Sequence, residues 1–169
     1  MEIKKIKKNC VLCTILIAMV CTPIFSSCVM DIGVDESNIV YYLKDNSFNF
    51  PEVPGHKTYL LLKSAEQRDA YIDSVKSKNN HKPDFLDRYD DAFFSRSNLL
   101  MVGMGGKVKQ LKVTKVGVKD DALYVRIQRK TYFLPDIGDD ATIILIPFKK
   151  SSYTGNKVDL DVHEIMALF

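Results

Sequence analysis

Four cysteines, three histidines, three adjacent aspartate pairs and one run of lysines are the side chains through which this 169-residue chain would do chemistry. All four cysteines, Cys10, Cys13, Cys21 and Cys28, fall in the first 28 residues. Nothing beyond them can form a disulfide staple or act as a thiol nucleophile. His56, His81 and His163 fall in expected loops or near the end of the chain. His163 and Glu164 are adjacent, which on a strand points them to opposite faces, and the chain has no His-Glu-x-x-His. It also has no Gly-x-Ser-x-Gly elbow to activate a serine. No catalytic residue, metal site or cofactor is therefore expected. The pairs Asp90-Asp91, Asp120-Asp121 and Asp139-Asp140 invite a calcium or glycosidase reading. Neighbouring carboxylates point apart, however, and Asp is favoured in turns and caps for its local backbone hydrogen bonds. Gly103-Met104-Gly105-Gly106 lacks the Lys-Ser/Thr of a phosphate loop and reads as a flexible break.

Lys107, Lys109, Lys112, Lys115 and Lys119 form the remaining cluster, a cationic stripe that on a strand would meet lipid headgroups, acidic glycan or nucleic acid. Overall charge decides against the last. The chain carries 24 Lys+Arg against 21 Asp+Glu, but Lys4, Lys5, Lys7, Lys8 and Glu2 belong to the first 27 residues, leaving 20 of each sign beyond. A neutral domain is not built for a polyanion, so no nucleic-acid partner is expected, and Lys guarding an exposed strand edge is the plainer account.

The first 27 residues have the three parts of an export signal. Lys4 to Lys8 is basic, Val11 to Phe25 is an uncharged run, and Pro23 breaks its end. The run is shorter than the roughly 20 residues of a permanent membrane helix. It closes on Phe25-Ser26-Ser27-Cys28, which resembles the lipobox of bacterial lipoproteins, although Phe25 stands where Leu is usual. The resemblance implies cleavage before Cys28 and diacylation of its thiol. The protein would then be tethered to a membrane of a bacterial envelope, with the outer membrane or cell surface favoured. Residues 28–37, with Asp31, Asp35 and Glu36, read as an acidic tether.

Residues 38–169 have the patterning of one domain. Strands are expected at Asn38–Leu43, Lys57–Lys63, Leu99–Val102, Lys107–Lys119, Leu123–Gln128, Thr142–Phe148 (central, being nearly all apolar) and Val158–Ile165 (an edge). In Lys107–Lys119 the apolar phase slips between Leu111/Val113 and Val116/Val118, which calls for a bulge. Asp120-Asp121 is the hairpin turn. The main helix spans about 65–78, opened by Ser64 as N-cap with Gln67 completing a capping box, and buries Ala65, Tyr71, Ile72 and Val75. A short helical turn is expected around Tyr89–Phe94, capped by Asp90 or Asp91, with Phe93-Phe94 in the core. Asp45–His56 and Asp136–Asp140 read as loops. The fold class is α+β, a mostly antiparallel sheet with the main helix packed on it.

This order of elements, with Pro83-Asp84-Phe85-Leu86, Tyr89-Asp90, Phe93-Phe94, Asn98-Leu99-Leu100, the strand pair across Asp120-Asp121 and Thr142–Ile146, is similar to the PrcB family. That family is named for the small lipoprotein subunit of a surface protease complex. The resemblance covers about residues 59–149; it alters the Gly-rich turn at Met104 and fits poorly over Thr131–Ala141. It implies a non-catalytic accessory domain bound to an exported protease. Gly103, Gly105 and Gly106, with Lys107 and Lys109, are the candidate binding surface, and Cys28 the lipidation site. A glycan- or cell-wall-binding envelope lipoprotein, using the Lys107–Lys119 stripe, is the alternative.

Overall fold

The computed structural model describes residues 28–44, 57–79, 83–105, 110–132 and 141–167. The expected leader, the whole Asp45–His56 loop, and Asp136–Asp140 lie outside them. In chain order the elements are β1 (Met30–Asp31), β2 (Val40–Lys44), β3 (Lys57–Leu62), α1 (Ala65–Asn79), α2 (Asp91–Arg96), β4 (Ser97–Gly105), β5 (Gln110–Lys119), β6 (Ala122–Tyr132), β7 (Ala141–Lys149) and β8 (Val158–Ala167). Single 3-10 turns occur at Glu36–Asn38, Asp84–Leu86 and Lys150–Ser152.

The class is α+β with one main helix, as expected, but the strands form two sheets of four. We call β1-β5-β6-β8 the outer sheet and β2-β7-β4-β3 the central sheet. All neighbours are antiparallel except β6 and β8. That exception follows from the route of the chain. β7 ends at Lys149 in the central sheet, and the chain crosses to the outer sheet and enters at the end where β6 begins. There Leu123 N–H donates to Lys157 O at 2.9 Å, so β8 runs in the direction of β6.

Two cores result. Leu100, Val102, Met104, Ile144, Ile146 and Phe148 of the central sheet meet Val113, Val116, Leu123, Val125 and Ile127 of the outer sheet. The alternate central-sheet residues Leu62, Leu99, Met101, Ile143 and Leu145 pack with Tyr71, Ile72 and Val75 of α1 and with Leu86, Tyr89 and Phe94. Strands β4 and β7 thus bury both faces, which is why they read as unbroken apolar runs.

Local signals set the elements' ends. Gln67 N–H donates to Ser64 Oγ at 3.3 Å, while Gln67 Oε1 accepts from Lys63 N–H at 2.7 Å, one residue earlier than the usual capping box. Asp90 caps α2 by accepting from Phe93 N–H at 2.8 Å. Asp120 and Asp121, at φ 48° and 58°, make the two-residue turn in which both central residues are left-handed. The β5–β6 register shifts between Val113 and Lys115, where the apolar phase slips.

Three local expectations are corrected. The first long strand starts at Val40 rather than Asn38, because Asp35 caps a 3-10 turn over Glu36–Asn38. Gly103-Met104-Gly105 does not break the chain: these residues continue β4, Gly103 pairing with both Ile143 and Thr58, and Met104 is buried. The stretch expected as an acidic tether over 28–37 is paired with β5 at Met30–Asp31 and packed on the core through Ile32 and Val34.

Candidate functional site

Cys28 is exposed, and a single residue separates it from β1. Met30 pairs with Val118 and Asp31 with Gly117. Gly117 is required there: a Cβ on it would lie 2.5 Å from both Met30 O and Val29 Cγ1. The acids of this stretch act on their own backbone. Asp31 accepts from Gly33 N–H at 2.8 Å, and Asp35 accepts from Ser37 N–H at 2.9 Å and Ser37 Oγ at 2.7 Å. These bonds hold the Asp35 carboxyl below its ordinary pKa. Ile32 and Val34 pack on the core between the sheets, Ile39 is buried in it, and Glu36 pairs with Lys112 at 3.8 Å. Residues 29–39 are therefore a strap laid from the outer sheet to the central one.

The strap distinguishes the two ends of the sandwich. At the Cys28 end lie β1, the Asp120–Asp121 turn and the start of β8. At the other end lie Gly105, Gln110, Tyr132 and Ala141, where Gly105 O accepts from the Arg129 guanidinium at 2.7 Å. Of the candidate binding surface, Gly103 is buried in the central sheet and Gly105 is half-buried at that far end; Gly106, Lys107 and Lys109 lie outside the described residues. The ten-residue strand β5 separates the two ends, about 30 Å at the usual rise per residue.

Lys112, Lys115 and Lys119 of the lysine run are described, and they lie along β5 rather than at one spot. On the outer sheet's solvent face, register sets Lys112, Gln128 and His163 in one row and Lys115, Arg126 and Asp161 in the next. Asp161 accepts from Tyr124 Oη at 2.5 Å and from Arg126 Nε at 2.8 Å. These bonds, the tyrosine's first, lower the Asp161 pKa. The Tyr124 hydroxyl is shifted up by desolvation and by the carboxylate it serves. Lys119 Nζ stands 5.6 Å from the Tyr124 ring centre. Thr114, Arg126, Gln128, Asp161 and His163 border a shallow groove of about 400 Å3 with donors, acceptors and both charge signs. His56 and His81 lie outside the described residues, and no group of three His, Cys, Asp or Glu suited to a metal occurs among the described ones.

A second cleft, of about 520 Å3, opens where the strap meets the central sheet. Ser37, Val40, Arg88, Tyr89, Phe93 and Lys149 contribute to its wall. Arg88 donates to Tyr89 Oη at 2.6 Å, and the Tyr89 and Phe93 rings meet edge-to-face at 4.8 Å. Burial raises the Tyr89 pKa and the neighbouring guanidinium partly offsets it. Phe94 is buried as expected, but its neighbour Phe93 is only half-buried and helps line this cleft. Sequence reasoning missed the cleft because its wall comes from three separated stretches, 33–40, 88–97 and 147–149, with no common motif.

Compared with models of known families, with curated proteins and with solved structures, the chain matches none.

Proposed function

We propose that this chain is a membrane-tethered, non-catalytic binding lipoprotein of a bacterial envelope, acylated on Cys28 and serving as accessory subunit to an exported protease. The observation that carries the reading is the exposed Cys28, two residues before β1 and directly after the leader pattern that ends in Ser26-Ser27. Two or more acyl chains make anchoring effectively stable. No described helix is long and apolar enough to cross a membrane, and the tethered reading needs none. The resemblance to PrcB supports the accessory role, and the aromatic and cationic cleft beside the strap offers a partner's side chains an apolar floor with two cations, Arg88 and Lys149.

Two experiments test this. A Cys28→Ser variant should lose acylation and leave the membrane fraction; partition like the wild type would overturn the anchor. Crosslinking of the tagged full-length protein in native membranes, followed by purification, should recover an exported protease in stoichiometric yield.

A second reading, a glycan- or wall-binding lipoprotein, is favoured by the groove over Arg126, Gln128, Asp161 and His163, whose mixed donors and acceptors suit hydroxyl-rich ligands. Recovery of polysaccharide alone would support it. Replacement of Lys112, Lys115 and Lys119 by Gln should then abolish that binding and leave protein pairing intact.

A further inference from the structure

The strap bears on how an acylated domain sits on its membrane. Lipid-anchored domains on flexible spacers reach out as random coils. Here the acylated residue would be two peptide steps from Met30, about 7 Å of extended chain, and Met30 is already paired with Val118. Val29 is wedged on Gly117, and the next residues are held by Asp31, Asp35, Ile32, Val34 and Ile39. Carried back from Met30, the antiparallel register leads Cys28 toward the Asp120–Asp121 turn. Beside it Met30 is 67% exposed, among the few large apolar side chains so placed in the described residues. An apolar side chain on the chain's first paired strand, next to the acylation point, fits the boundary between headgroups and acyl chains.

We propose that the strap is a rigid mount: the Cys28 end of the sandwich, with Met30 and the Asp120–Asp121 turn, rests on the lipid surface, and the Gly105/Gln110 end is held away from it. This inference rests on the lipoprotein reading above. Its consequence is a fixed working height. With β5 standing off the membrane, the Gly105/Gln110 end lies up to about 30 Å out. A partner engaged there must itself present a surface at that level.

The test uses the acylated full-length product reconstituted in vesicles that carry a lipid-borne quencher. Once the leader is removed and Cys28 is acylated, an introduced cysteine is the only free thiol. Lys157→Cys labels the Cys28 end and Gln110→Cys the opposite end; both positions are exposed. The Lys157 probe should lose most of its emission and the Gln110 probe should keep nearly all of it. A Gly/Ser spacer of about 20 residues between Cys28 and Val29, with a root-mean-square reach of about 25 Å, should erase the difference. Equal quenching of the two probes in the spacer-free, vesicle-bound protein would overturn the mount while leaving the anchor in place. Protein that fails to float with the vesicles, like Cys28→Ser, would overturn the anchor and the mount with it.

Discussion

The two sheets place similar numbers of strands under different physical demands. The central sheet lies between the outer sheet and the helices, and its middle strands β4 and β7 give one face of side chains to each core. The outer sheet buries Val113, Val116, Leu123, Val125 and Ile127 on one face and turns Lys112, Lys115, Arg126 and His163 to water on the other. A strand buried twice is apolar at nearly every position, Asn98 of β4 and Thr142 of β7 being the buried polar exceptions, whereas one buried once alternates. Stability is therefore expected to reside in the central sheet, and tolerance to substitution on the solvent face of the outer one.

The sharpest way to break this comparison is Leu145→Ala in β7. Leu145 is fully buried, and truncation there should cost about 2–5 kcal/mol, read as a lower urea midpoint at unchanged slope. Lys115→Ala, on the solvent face of β5, should stay within about 0.5 kcal/mol of wild type; comparable losses from the two would refute the division. Next in size, two glycines in β-strands should part company. Gly117→Ala collides with Met30 O and Val29 Cγ1 and should destabilise by about 1–3 kcal/mol, with earlier protease cleavage near Met30. Gly105→Ala meets no atom within 4 Å and should be neutral or slightly stabilising.

Smaller again is the cap of α2. Asp90→Ala removes the acceptor of Phe93 N–H and should cost about 0.5–2 kcal/mol, with Asp90→Ser recovering most of the loss in thermal melts. The smallest effect belongs to the Tyr124–Asp161–Arg126 group, in which the tyrosine is buried and the two charged side chains reach water. Asp161 titrates below its ordinary value in the folded protein, so its contribution to stability is present above the unfolded carboxyl pKa and fades as pH falls through the folded one. Its exposure keeps that contribution minor. Tyr124→Phe should raise the Asp161 pKa toward its ordinary value in an NMR titration; no movement would show that the hydroxyl does not stabilise the carboxylate.

Much of the fold was legible because it is written locally. Ser64 with Gln67, Asp90 before Phe93, Asp120-Asp121 between alternating strands, and the slipped phase at Val113–Val116 each involve groups a few residues apart. The cleft of Arg88, Tyr89, Phe93 and Lys149 was not legible, since its residues become neighbours only when the strap, α2 and β7 converge. The Gly103–Gly105 stretch misled for a related reason. Glycines in a strand resemble a break until two neighbouring strands, β3 and β7, supply hydrogen bonds that hold them extended.

The sequence by itself determined the rough place of most strands, the caps at Ser64 and Asp90, the Asp120-Asp121 turn and the central position of Thr142–Phe148, because backbone preference and side-chain period act over a few residues. Only the tertiary structure decided that there are two sheets, that β8 joins β6 in parallel, and that residues 29–39 form a strap. Pairing depends on which end of the sandwich the chain re-enters. The fate of Asp31, Asp35 and Glu36 likewise depends on apolar neighbours, Ile32, Val34 and Ile39, finding a core made of strands at least 60 residues further along. Acidic side chains that look like a solvated linker in one dimension become caps once the backbone beside them is fixed by burial.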